Sequence, residues 1–210
     1  SVPSALSSLA VRIGCAPRIV KARATFDRMT KPPTWRDFLP LDDSVLFAQC
    51  EFDRFRASGP GGQKRNVTES AVRLRHTPSG LSVEATESRS QHENRARALR
   101  KLRYAIALKL RAPASVEGYA APEELAAAVG SGVGRRDARF LTAIASLFDL
   151  LEGVEWQLRT AAKALGASTA AVSRLLEQDA AVFRAANERR RALELRALRP
   201  AKQGSRKRSR

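Results

Sequence analysis

Between residues 50 and 111 the hydrophobic pattern changes its period from two to between three and four, and that switch restricts the fold more than any other feature of the chain. Residues 50–56 alternate as a strand does, with Phe52 directed to a core and Phe55 to the opposite side. Residues 72–77 and 81–86 flank Pro78-Ser79-Gly80, a turn signal, so these two runs pair as an antiparallel hairpin against the first strand. Residues 90–111 then set Leu99, Leu102, Ile106 and Leu110 at steps of three and four, an amphipathic helix that covers the small sheet. The expected class is α+β, a small antiparallel sheet packed on a long helix.

The flanks organise around this unit. Pro32, Pro33 and Pro40 mark an extended approach, and Asp42 or Asp43 caps a short helix through Ala48. Pro113, Gly118 and Pro122 punctuate the chain beyond the long helix as a linker. Asp137 is the expected N-cap of a helix striped with Leu141, Ile144, Leu147, Phe148 and Leu151 and stopped at Gly153. Residues 158–176 resemble a helix-turn-helix: Ala162 permits close packing, Gly166 makes the turn and Val172 fills the angle between the helices. Its second helix offers Thr169, Ala170, Ala171 and Ser173, with Arg174 alone suited to bidentate base contact, so packing or RNA docking fits it better than reading DNA. Asp179 begins a final helix, and residues 184–210 carry eleven Lys or Arg against Glu188 and Glu194. The resulting division is a leader over 1–40, expected to be disordered, a sheet-and-helix domain over 41–112, a linker over 113–136, a helical helix-turn-helix-like module over 137–183, and a basic helix and tail over 184–210. The leader contains no acidic residue before Asp27, which suits either an organellar transit segment or a reading frame whose true start is Met29.

Charge narrows the partners. Thirty-eight Lys and Arg against 21 Asp and Glu leave a formal net charge of +17, which attracts polyanions, nucleic acid before membrane. No run approaches the roughly 18 apolar residues of a bilayer span. Cys15 and Cys50 form no CxxC and have no His at ligand spacing, so neither a metal site nor a disulfide framework is expected, no cofactor is implied, and a reducing compartment fits. The bacterial cytoplasm is the expected location, with the mitochondrial matrix as the alternative.

Gly61-Gly62-Gln63, set within Arg56-Ala57-Ser58-Gly59-Pro60-Gly61-Gly62-Gln63-Lys64-Arg65-Asn66, is by itself also compatible with a hairpin turn. With the strand and Pro-x-Gly turn downstream, and with the run from Glu87 through Ser88, Arg89, Ser90, Gln91, His92, Glu93, Asn94 and Arg95 to Leu99, this stretch resembles the hydrolytic domain of class I peptide-chain release factors. The resemblance covers about residues 45 to 110. Lys64, Arg65 and Val67 depart from the family's commonest pattern, which bears on the tuning of the loop and leaves the tripeptide intact.

The resemblance implies hydrolysis of the peptidyl-tRNA ester on the ribosome. Glycine at 61 and 62 permits positive φ and removes the Cβ atoms that would hold backbone away from an ester. The resemblance assigns the Gln63 main-chain N–H to the oxyanion or the departing ribose oxygen, and its side chain to admitting water. His76 and His92 are the chain's two histidines, and neither forms a Ser-His-acid arrangement with the loop. The remainder of the catalytic centre is therefore expected from the ribosomal peptidyl-transferase centre and the tRNA. Arg56, Lys64, Arg65, Arg89, Arg95, Arg97, Arg100, Lys101 and Arg103 are expected to meet rRNA or acceptor-stem phosphate, and a resemblance to the family's short rescue hydrolases, whose basic tail enters the mRNA channel, implies that role for Arg206, Lys207, Arg208 and Arg210. Neither of the family's codon-recognition tripeptides is found, so the expectation is a monomeric, codon-independent rescue hydrolase. A non-catalytic ribosome or RNA binder on the same scaffold and a helix-turn-helix DNA regulator are the alternatives.

Overall fold

The computed structural model describes residues 32–56, 70–112 and 114–200. A 3-10 turn at Trp35–Asp37 leads into helix α1 (Asp43–Ala48) and then strand β1 (Cys50–Phe55). Strands β2 (Ala71–His76) and β3 (Ser82–Ala85) complete a three-stranded antiparallel sheet in the order β1-β2-β3. The register sets Phe52 opposite Leu74 and Leu74 opposite Val83, so these side chains share one face with Val72 and Ala85. The other face is a lattice of charge. Arg73 donates to Glu84 at 2.8 Å and stacks over Phe55, and Arg75 lies 4.0 Å from Glu51.

Helix α2 (Gln91–Lys109) covers the apolar face. Ser90 caps it by accepting from the Glu93 N–H, and Leu99, Leu102 and Ile106 point into a core shared with Leu46, Val72, Leu74 and Ala85. Burial of His76 in this core is structural: its two ring nitrogens meet Ser79 Oγ at 2.7 Å and Gln49 Oε1 at 3.0 Å, and Phe38 packs edge-on against it. Removal from water holds the His76 imidazole below its ordinary pKa.

The second face of α2 receives a helical module: α3 (Glu123–Val129), α4 (Phe140–Gly153), α5 (Leu158–Ala164), α6 (Thr169–Glu177) and α7 (Ala180–Ala192). Helix α4 lies at its centre, with Phe140, Ile144, Leu147, Phe148, Leu150 and Leu151 all buried. Tyr104 and Leu108 of α2 pack against this second core, and Ala145 of α4 packs into the first. Gly166, at φ +60°, turns the chain between α5 and α6, and Ala162 and Val172 are buried at their junction as a helix-turn-helix requires.

Two buried carboxylates stitch the layers together. Asp149 on α4, 1% exposed, accepts from Trp35 Nε1 at 2.6 Å, from the Ala112 N–H at 3.0 Å and from Arg111 at 3.3 Å, with Arg36 also at 3.3 Å. Burial drags the Arg111 guanidinium down to about 10 while Asp149 opposes that fall. Asp179 caps α7 through the Ala181 and Val182 N–H groups, and also accepts from Tyr104 Oη at 3.0 Å and Arg135 Nε at 2.7 Å.

Three boundaries differ from those the sequence suggests. Trp35, Phe38 and Leu39, inside the expected leader, are built into the sheet-side core, because Asp149 supplies a buried acceptor for the Trp35 indole. The span 113–136 contains α3 and buries Leu125, Ala128 and Val133 against α4, whose apolar surface extends beyond one stripe. Asp137 does not cap α4; it accepts from the Arg139 N–H and holds the Arg139 guanidinium, and the helix begins at Phe140. The leader 1–31 and the tail 201–210 lie outside the described residues.

Candidate functional site

Gly61, Gly62 and Gln63, together with Lys64 and Arg65, lie outside the described residues. The fold fixes the two points from which their segment departs. Phe55, the last residue of β1, pairs with Ala71, the first of β2, so the chain leaves and re-enters the sheet at neighbouring positions.

The return point is held from below by Asn94, in the first turn of α2. Its fully buried amide donates from Nδ2 to Ser70 O at 2.6 Å and to Ser88 O at 2.7 Å, while Oδ1 accepts from the Ser88 N–H at 2.9 Å. One side chain therefore fixes the start of β2, the connection after β3 and the beginning of the long helix. Sequence reasoning assigns no role to Asn94; the available signal is an amide residue on the apolar side of an amphipathic helix, where an unpaired polar group is costly.

The expected cationic residues divide by what they touch. Arg56 and Arg89 are exposed beside the loop segment and the start of α2. Arg95 is stacked 3.7 Å from the Phe47 ring centroid, Arg97 pairs with Glu93 at 3.5 Å, and Lys101 pairs with Glu87 and donates to Glu84 O at 2.7 Å. The Lys101 hydrogen bond is the main cause holding the Glu87 carboxyl below its usual pKa. Arg100 is exposed, with no ion-pair partner among the described residues. Arg103 is spent internally, donating to Leu39 O at 2.9 Å, Leu41 O at 2.6 Å and Asp43 Oδ1 at 2.9 Å, so it braces the approach to α1. Arg206, Lys207, Arg208 and Arg210 lie outside the described residues.

Among the described residues no self-sufficient hydrolytic centre is assembled. His76 is occupied within the core, and His92 is exposed on α2. Cys50 donates to Leu46 O, and burial pushes its thiol up to about 11, far from a reactive thiolate. Among the described residues no group of three or more His, Cys, Asp or Glu is placed to hold a metal ion, and no helix is long and apolar enough to cross a membrane.

Comparison with known proteins adds an independent line. Residues 43–140 match the RF-1 domain family. The chain is 47% identical over 92 residues to peptide chain release factor 1 of Acidiphilium cryptum, a match covering 44% of this chain and 25% of that protein. Peptide chain release factor 1 of Salinibacter ruber is 44% identical over the same length, with the same coverage. Peptide chain release factor 2 of Paramagnetospirillum magneticum is 49% identical over 63 residues, which is 30% of this chain and 17% of that one. The matched segment thus spans a quarter or less of these relatives.

Proposed function

We propose, from the premise that this chain carries a class I release factor-like GGQ domain within residues 43–140, that it hydrolyses the ester of peptidyl-tRNA on the ribosome without reading a stop codon. The observation that carries the reading is the coincidence of the RF-1 domain match with the sequence Gly61-Gly62-Gln63, in the segment of chain between Phe55 and Ala71, which pair as the ends of adjacent strands.

The chemistry asked of the chain is small and local. Ester hydrolysis needs a positioned water and a donor for the oxygen that becomes negative as the carbonyl turns tetrahedral. A main-chain N–H at Gln63 is such a donor, and two residues without Cβ let it approach the ester. The ribosomal peptidyl-transferase centre and the tRNA ribose supply the remaining groups, consistent with the internally engaged His76 and Cys50. Independence of the codon is favoured by the lack, within these 210 residues, of either of the family's codon-recognition tripeptides. Trp35, Phe38 and Leu39 upstream are committed to its core, and downstream lies a helical module.

The test is peptide release from ribosomes carrying peptidyl-tRNA on truncated message, on an intact sense codon or on a stop codon. Release on truncated message that is abolished by Gln63→Ala, while ribosome binding survives, supports the reading. A Gln63→Ala protein as active as the wild type, or release confined to stop codons, overturns it.

A further inference from the structure

The surface between α2 and α7 holds a groove that neither the loop chemistry nor the RF-1 domain match explains, since one of its walls lies beyond residue 140. It has a volume of about 510 Å³ and is lined by Arg97, Arg100 and Lys101 of α2, Arg135 of the segment before α4, and Arg184 of α7, with Tyr104 at its floor. Its acidic lining residues, Glu87 and Asp179, are both spoken for. Glu87 pairs with Lys101, and Asp179 is consumed by Arg135, Tyr104 and the α7 N-cap. Arg100 on one wall and Arg184 on the other are exposed and have no ion-pair partner among the described residues. Because Asp179 already satisfies the first N–H groups of α7, the site rests on guanidinium groups and not on a helix terminus.

The groove continues. A second hollow of about 530 Å³ shares Tyr104, Ala181 and Arg184 with the first and carries the path towards Lys109; Glu188 also lines it, and its Arg189 is held by Glu152 at 2.7 Å. From Arg97 to Lys109 the long helix rises roughly 18 Å, long enough for a run of phosphates and too long for a single small anion. Arg97, Lys101 and Arg135 are each already held by a carboxylate, which leaves Arg100 and Arg184 as the lining cations without an ion-pair partner among the described residues; a polyanion lying between these two gains their charge while releasing its own counterions. Forked guanidinium groups match phosphate oxygens in geometry as well as charge.

We propose that α2 and the helical module together form an RNA-backbone groove, in which Arg100 and Arg184 clamp successive phosphates of a folded RNA and Arg97, Lys101, Arg135 and Lys109 extend the path. The choice of RNA rests on the release reading above; the groove itself does not depend on the loop. On this reading the module fixes where the loop domain sits on its RNA partner.

The experiment compares wild type, the Arg100→Glu/Arg184→Glu double variant and Gln63→Ala. Binding of a fluorescein-labelled RNA hairpin is measured from low to physiological salt, with duplex DNA of matching sequence and a polyglutamate peptide as competitors. The double variant is expected to lose at least about tenfold in affinity at low salt. Its plot of log K against log salt should be shallower by roughly 1.8, the loss of two phosphate contacts to a duplex stem. It should also need more factor for half-maximal peptide release. Gln63→Ala should bind the hairpin as wild type does, so a failure of the release reading would leave this result standing. Both arginines are exposed, and an unaltered far-ultraviolet spectrum and melting curve confirm folding. A double variant with wild-type affinity and slope overturns the proposal, as does displacement of RNA by polyglutamate or equally well by duplex DNA.

Discussion

Asn94 serves three backbone groups from one fully buried amide, and two of its partners flank segments that must keep their relative positions, Ser70 at the start of β2 and Ser88 before α2. Truncation would strand Ser70 O, Ser88 O and the Ser88 N–H without their partner. An unsatisfied buried group costs about 1–3 kcal/mol, so Asn94→Ala should destabilise the protein by about 2–4 kcal/mol in urea unfolding after partial relaxation. Peptide release should fall further than stability explains, since the position from which the Gly61-Gly62-Gln63 segment re-enters the sheet is no longer held. Asn94→Asp separates the effects. It keeps an acceptor for the Ser88 N–H but turns a carboxylate oxygen on two carbonyls, so it should be at least as damaging. If either variant releases peptide at the wild-type rate when fully folded, Asn94 is only a core residue.

Helix α4 is buried on nearly every side because two layers need it, and Gly153 at its last turn shows how closely the chain is drawn over it. A Cβ at Gly153 would lie 2.2 Å from Ala114 O, a backbone atom that cannot swing aside. Gly153→Ala should therefore displace the segment that follows α2, whose Ala112 N–H is tied to Asp149, at a cost of about 1–3 kcal/mol typical of overpacking. Thermal melting of the variant checks this, and an unchanged melting temperature would mean the segment moves freely. The same closeness explains what the sequence made legible. The hairpin, the long helix and the α5–α6 turn each announce themselves through local signals, a period of two, a period near 3.6, and Gly166 between Ala162 and Val172. Helix α3 does not, because Glu123–Val129 is only seven residues long, too short to show a period, and its burial is set by the surplus apolar surface of α4. Trp35 and the N-terminal wall likewise depend on an acceptor far along the chain. Of the candidate site, the tripeptide and the α2 cations are legible as motifs, whereas Asn94, Arg135 and Arg184 acquire their places only when distant elements close on α2.

At the scale of the whole molecule, the sheet-side and helical cores are adjacent and share a wall. Helix α2 gives Leu99, Leu102 and Ile106 to one and Tyr104 and Leu108 to the other; Ala145 of α4 crosses into the first; Asp149 and Asp179 each hold groups from both sides. Burying one large apolar side chain contributes about 1.5–3 kcal/mol, and breaking a buried charged pair costs about 3–5 kcal/mol, so opening one core alone would forfeit several such contributions at the shared wall. That sum is comparable with the whole stability of an ordinary domain, which leaves little room for a half-unfolded state. The two tryptophans report on the two cores separately, Trp35 in the sheet-side cluster and Trp156 edge-on to Phe148 in the helical one. Trp35→Phe and Trp156→Phe each leave one reporter. Because Trp35→Phe also removes the donor to Asp149, that variant should unfold at lower urea. Within either protein, however, fluorescence and far-ultraviolet signals should share one midpoint. A midpoint for the Trp156 signal displaced from that of the secondary structure would separate the cores energetically, and would mean that the helical module does not share the stability of the domain that carries the loop.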